Sequence, residues 1–237
     1  MGNTVFLTAE WRKLLMVNYA IDPSHLLPYL PAQTELDLWN GNCYVSLVGF
    51  MFLNTKLKGI GFPFHRNFCE INLRFYVKYN HNGQWQRGVV FIKEFVPKPI
   101  IAFIANTFYK EHYAAVPMRH KWNHNGDSLT VHYSWKNGTW HNMEVQTSAV
   151  AVPIVSGSQE EFITEHYRGY AKAKQTLEYR VEHPKWNIFH VKNHSVNVDF
   201  ESSYGKNWAF LNKCEPSSVF LAEGSAISVS SKARLTG

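Results

Sequence analysis

The sequence predicts an α+β domain built mainly of antiparallel strands, and three observations carry that prediction. Asn-Gly pairs recur at 40–41, 82–83, 125–126 and 137–138, each between segments rich in β-branched and aromatic residues. Asn-Gly supplies the positive φ angles that a tight hairpin needs. Apolar residues make up 45% of the 237 and aromatics 15%, too many for a disordered chain. Helical signals are confined to three short stretches. With no repeat, low-complexity tract or long linker, residues 1–237 are expected to form one domain around one core.

Strands are predicted over 12–19, 34–39, 43–54, 67–79, 85–96, 115–124, 128–136, 139–152, 173–183, 190–200 and 218–229. A two-residue turn at Asn137-Gly138 would set Trp135 opposite Trp140, an aromatic pair able to hold the register. The first helix is expected over 22–30, with Asp22 as N-cap and Pro23 at the first helical position. The second, 98–109, spaces Ile100, Ile101, Ile104 and Phe108 on one face. The third, 156–170, starts on a capping box of Ser158 and Glu161.

Charge excludes some functions. The formal net charge is +6, yet charged residues are only 18% and the basic ones are scattered, so no nucleic-acid stripe forms. Cys43, Cys69 and Cys214 are far apart and odd in number, which suggests neither a disulfide framework nor a zinc site. Free thiols, and an N-terminus without the apolar run of a signal peptide, lead to an expected cytoplasmic location. The longest apolar run, PIIAFIA, is far too short to span a membrane. His120 and His124 share a strand face but stand about 13 Å apart, too far to hold one ion. Neither a metal nor a cofactor is expected.

NFCEINLRFYVKY, residues 67–79, alternates Cys69, Ile71, Leu73, Phe75 and Val77 with Glu70, Asn72, Arg74, Tyr76 and Lys78. Alternation by itself describes a strand with one solvated face, or one whose polar row lines a closed sheet. The SYGK stretch at 203–206 fits S-x-x-K but lacks the motifs that accompany it in acyl-transfer enzymes. Lys110 is expected to face outward at the end of the second helix and to be solvated.

EWRKLLMVNYAIDPSHLLPYLP (10–31), EINLRFYV (70–77), FYKEHYAAVPM (108–118), FITEHYRGY (162–170) and EHPKW (182–186) together resemble the YqjF-like family of uncharacterised bacterial proteins. That family is grouped by fold with acetoacetate decarboxylase. The resemblance implies a cone- or barrel-like sheet around a central cavity. It places the decarboxylase's anion-contacting arginine on Arg12 and its pocket glutamate on Glu70, which turns the polar row of 67–79 inward. The decarboxylase's lysine pair falls on Tyr113-Ala114, so imine chemistry is not expected.

The resulting expectation is a pocket for a small anionic metabolite, a carboxylate or keto acid. Arg12 would be the anchor, Glu70 and Tyr113 the acid–base groups, and Asn72, Arg74 and Arg119 lining residues. Whether such a pocket is catalytic or only binds stays open, and a homo-oligomer is compatible with either. The rival reading is a structural or interaction module whose polar rows pair with one another, Glu70 with Arg12 among them. Tyr167, Arg168, His183 and Trp186 are read as locking a helix to the sheet.

Overall fold

A computed structural model of the chain describes residues 4–235. The chain starts with a long strand, β1 (Val5–Ile21), followed by two 3-10 turns, Pro23–His25 and Leu27–Tyr29, where one helix is predicted. Asp22 does cap, accepting from the Ser24 amide. Pro28, however, has no N–H to offer an α-helical ladder. Next come β2 (Thr34–Leu36), β3 (Cys43–Leu57), β4 (Phe68–His81) and β5 (Gln84–Val96). The second predicted helix is α1 (Pro99–Tyr109). The strands β6 (Tyr113–Ala115), β7 (Met118–Asn125), β8 (Ser128–Asn137) and β9 (Thr139–Pro153) follow.

The third predicted helix is much shorter than expected. α2 (Gln159–Thr164) keeps the Ser158 cap, but the chain turns at Glu165 and enters β10 (Arg168–Ala171). Gly169 permits the change, since a Cβ there would lie 2.1 Å from the Tyr179 ring. The end of the chain holds β11 (Leu177–Glu182), β12 (Asn187–Asn197), α3 (Phe200–Tyr204), a 3-10 segment Lys206–Lys213, β13 (Ser218–Ser230) and β14 (Ala233–Arg234). α3 and the segment after it carry no sequence prediction. Ser203 of SYGK is buried there, with Lys206 exposed.

The strands form one sheet in the order β14-β11-β10-β5-β4-β3-β1-β13-β12-β9-β8-β7. All its long pairings are antiparallel. An additional pairing of β11 with β13 brings the path back on itself, so seven strands make a closed circuit. The circuit is not a uniformly bonded wall: β5 meets β10 through one parallel residue pair, and β11 meets β13 through two. Beyond β12, the strands β9, β8 and β7 fold across the outer face of β1, β3, β4 and β5. Trp135, Tyr133 and Met143 pack there with Ile71, Leu73 and Phe75 to form the larger apolar core.

The predicted Trp135–Trp140 pair does not form. Gly138 takes the apex, so Trp135 lies opposite His141 and Lys136 opposite Trp140. A one-residue slip moves a side chain to the other face, which buries Trp135 and leaves Trp140 outside.

Of the two readings that alternation allows for β4, the inward polar row is the one the structure has. Phe68 through Val77 are all buried, with the odd residues in the outer core and the even ones inside the circuit. β-Bulges decide which residues of the neighbouring strands face inward. In β1, Lys13 has φ 54, and the register steps from Arg12↔Met51 to Leu15↔Gly49. Trp11 and Leu14 therefore share the inner side, whereas Arg12 points away.

The Lys13 bulge sits beside Gly224 of β13, the partner of Arg12. Gly224 has φ +81, and a Cβ on it would stand 2.0 Å from the Trp11 carbonyl oxygen. That contact is with backbone and has nowhere to move. Gly224→Ala is therefore expected to cost about 2 kcal/mol or more, read as a lower urea midpoint. No helix among the described residues is long and apolar enough to cross a membrane.

Candidate functional site

The inner face encloses a cavity of about 450 Å³. α1 crosses its open end. It leaves β5 and ends where Tyr109 packs on Phe6 and Tyr179 and donates to the Ser230 carbonyl. Most of the wall is apolar: Trp11, Phe50, Phe52, Phe68 and Phe91 line it from β1, β3, β4 and β5. At the far end of the circuit, Ser46 donates to Asn18 and meets the Tyr76 hydroxyl at 2.6 Å, a polar plug.

Three buried carboxyls gather on the inner wall. Glu70 and Asn72 project from β4 by simple alternation, and the Asn72 amide donates to Glu70 at 2.9 Å. Glu94 comes from β5 through a second bulge. The register passes from Arg74↔Phe91 to Leu73↔Lys93, leaving Ile92 extra, so Glu94 points inward beside Asn72. Without that bulge Lys93 would occupy the cavity instead. It lies on the other side of β5, where its amine donates to the Ser203 carbonyl and burial pushes its pKa down. Glu111 follows the C-terminus of α1. Lys110 there takes the left-handed conformation at φ 59 and is exposed, as expected, while Glu111 turns inward to accept from Tyr179 at 3.2 Å.

Tyr113 sits among these groups and donates to Glu70 at 3.0 Å. Asn106 of α1 fixes it, accepting from the Tyr113 amide at 2.7 Å and donating to its carbonyl at 2.9 Å. Burial raises all three carboxyls: Glu70 to about 7, Glu111 to about 8, and Glu94 well above the usual range, the last also repelled by Glu111 and Glu70. Glu70 is held lowest because Asn72 and Tyr113 hydrogen-bond its carboxylate and Arg74 supplies positive charge. Arg74 is itself buried, with its Nε unpartnered. On the same wall, His166 is fixed by Asp37 at 3.1 Å, and burial lowers its pKa to about 4.

Eleven buried side-chain N or O atoms lack a protein partner among the described residues, and six belong to residues lining this cavity. They include Asn72 Oδ1, Arg74 Nε, Glu94 Oε2 and His166 Nδ1.

Of the residues named from sequence, Glu70, Asn72, Arg74 and Tyr113 meet at one cavity. Arg12 does not. Its guanidinium bonds Glu10 at 2.7 Å on the opposite face of β1, and no pair with Glu70 forms. Arg119 is also elsewhere, exposed on β7 with its guanidinium over the Trp140 ring at 4.4 Å. Glu94, Glu111 and Tyr179 are the residues that sequence reasoning missed. Period-two counting through an unseen bulge puts Glu94 on the wrong face, and Glu111 is overlooked beside a Lys110 that is expected to be solvated. Tyr167 and His183 meet as tilted rings at 4.7 Å and His183 stacks on Trp186 at 4.2 Å, while the Trp186 indole donates to Ser225; Arg168 reaches the cavity wall and pairs with Glu178. No cluster of metal-ligating side chains occurs among the described residues.

Comparison with known proteins agrees with this architecture. A match to DUF2071, described as an uncharacterized conserved protein, runs over residues 8–226. The chain belongs to that family. A curated relative, the uncharacterized protein YqjF of Bacillus subtilis, is 27% identical over 180 residues, covering 74% of this chain and 72% of its own. An acetoacetate decarboxylase from Legionella pneumophila superposes with a TM-score of 0.67 at 12% identity, covering 98% of this chain and 88% of its own. The enduracididine biosynthesis enzyme MppR, in its complex with pyruvate, gives a TM-score of 0.68 at 10% identity, covering all of this chain and 92% of its own. At such identities the likeness establishes fold alone.

Proposed function

We propose that this DUF2071 protein catalyses proton transfer next to the carbonyl of a small 2-oxo acid, without a covalent imine. The observation that carries the reading is three adjacent buried carboxyls held at different levels: Glu70 at about 7 beside Glu111 at about 8, with Glu94 also well above the usual carboxylate range. At neutral pH the first is partly ionised and serves as a base, while the other two keep their protons and serve as donors. Glu70 takes a proton from the carbon next to the carbonyl. The electron pair moves onto the carbonyl oxygen, where the Glu94 and Glu111 carboxyls stabilise it by hydrogen bonds. Return of the proton to that carbon, or its placement on oxygen, completes exchange or tautomerisation with no co-reactant.

Arg74 takes the anchoring role expected of Arg12, since it is buried in the cavity and its Nε is open to a carboxylate. That one fold neighbour is complexed with pyruvate, a 2-oxo acid, supports the ligand class. A primary amine is not part of the scheme, because the resemblance sets the decarboxylase lysines against Tyr113 and Ala114, neither of which carries an amine.

The test is proton NMR of 2-oxobutanoate in deuterium oxide with the protein present. Catalysed loss of the methylene signal beside the carbonyl is expected, with no adduct after borohydride treatment. An exchange rate equal to buffer, or a borohydride-trapped lysine, would overturn the proposal. Tyr113→Phe removes a donor to the Glu70 carboxylate, so the acidic limb of the rate profile should move up by about one pH unit.

A further inference from the structure

We infer that the preferred ligand is not a short oxo acid but an amphiphilic one, with an acid head at the carboxyl cluster and a hydrocarbon tail of about six to ten carbons running to the mouth beside α1. This rests on the head-group assignment above and adds the tail. Three features of the cavity carry it.

The first is size. At about 30 Å³ per water-sized group, 450 Å³ accommodates some fifteen such groups, and a three-carbon acid would leave well over half of that unfilled. The second is the separation of polarity. The titratable head region is deeply buried, with Glu70 at 3% and Glu94 at 1% exposure. The aromatic wall and α1, through Ile101, Ile104 and Ala105, present almost no polar groups to the remaining space. Of the other ionisable lining residues, Arg168 is paired with Glu178 and His65 with the Pro63 carbonyl, so a second charged group on the ligand would be desolvated at a wall whose charges are already engaged.

The third is the rim. Phe62, Pro63 and Ile100 are the exposed members of the lining, and they place the mouth between the 58–66 segment and the start of α1. Phe62 and Ile100 are 49% and 52% exposed, and the same two segments also expose Phe64 and Phe103. An apolar opening leading to a buried acid-binding end fits a ligand that enters head first and is covered along its length.

Isothermal calorimetry with straight-chain 2-oxo acids of four to ten carbons tests this. The dissociation constant should fall about fourfold per added methylene until the tail reaches the mouth, then level off. Ile100→Glu places a charge at the rim, on an exposed helix start that tolerates an acid, so folding should hold. It should weaken the eight-carbon acid at least tenfold more than the four-carbon acid. Flat affinity across the series, or equal weakening of short and long acids by Ile100→Glu, would overturn the inference. The failures are separable. Exchange of 2-oxobutanoate with flat affinity sinks only the tail. A chain-length gain without exchange supports the tail and sinks proton transfer.

Discussion

Glu70→Gln is expected to lower the rate of 2-oxo acid proton exchange by roughly 10²–10⁴, the usual contribution of a positioned general base. The substitution keeps the shape of the side chain and an oxygen that can accept from Tyr113, which donates to Glu70 at 3.0 Å. What it removes is the ability to take a proton near pH 7. Ligand affinity should change by no more than a few fold, because Arg74 and the apolar wall are untouched. The measurement is exchange rate against substrate concentration, which separates the two effects. A variant that keeps its rate, or one whose loss lies wholly in binding, excludes Glu70 as the base. Glu111→Gln offers the contrast. It replaces a carboxylic acid donor with a weaker amide donor and leaves the base in place, so its rate loss should be smaller and should not carry the neutral-pH limb away with it.

The sequence reveals the sheet better than it reveals the site, for a physical reason. Hairpins are local. Asn82-Gly83 has φ values of 51° and 83°, and the neighbouring strands meet as the dipeptide predicts. The inward row Glu70, Asn72 and Arg74 is also legible, because β4 keeps strict alternation along that part of the strand. Bulges are where legibility ends. The extra residue at Ile92 exchanges Lys93 for Glu94 inside the cavity, and the bulge at Lys13 carries Arg12 to the far side of β1. Neither leaves a residue-type signal as strong as Asn-Gly. Glu111 and Tyr179 are joined only by the closure of α1 over the circuit, a contact between segments far apart in sequence. A reading that treats each strand as regular and stays local must therefore miss two of the three carboxyls.

The same cluster should make the protein less stable as pH rises. A carboxyl whose folded pKa lies above its unfolded value binds more protons folded than unfolded, so stability falls as pH climbs through that interval. For Glu70 the interval runs from 4.5 to about 7, and for Glu111 from 4.5 to about 8. At 1.36 kcal/mol per pH unit, Glu70 alone accounts for roughly 3 kcal/mol, and Glu111 and Glu94 act in the same direction. His166 works the other way. Its pKa is lowered to about 4, so stability rises with pH as it deprotonates, and that contribution is complete near its ordinary value of 6.5. Cys69, raised to about 11 from 9, titrates above the range of interest. The window between pH 6.5 and 8.5 therefore isolates the carboxyls. For a chain of this length a few kcal/mol correspond to about 10 °C in melting temperature. Differential scanning fluorimetry should show a fall of that order from pH 6.5 to 8.5, and Glu94→Gln combined with Glu111→Gln should remove most of it by raising the value at pH 8.5. A melting temperature that stays level across the window, or a slope that the double variant leaves intact, would mean that these side chains do not hold protons in the folded protein, and the donor roles of Glu94 and Glu111 would fall with it.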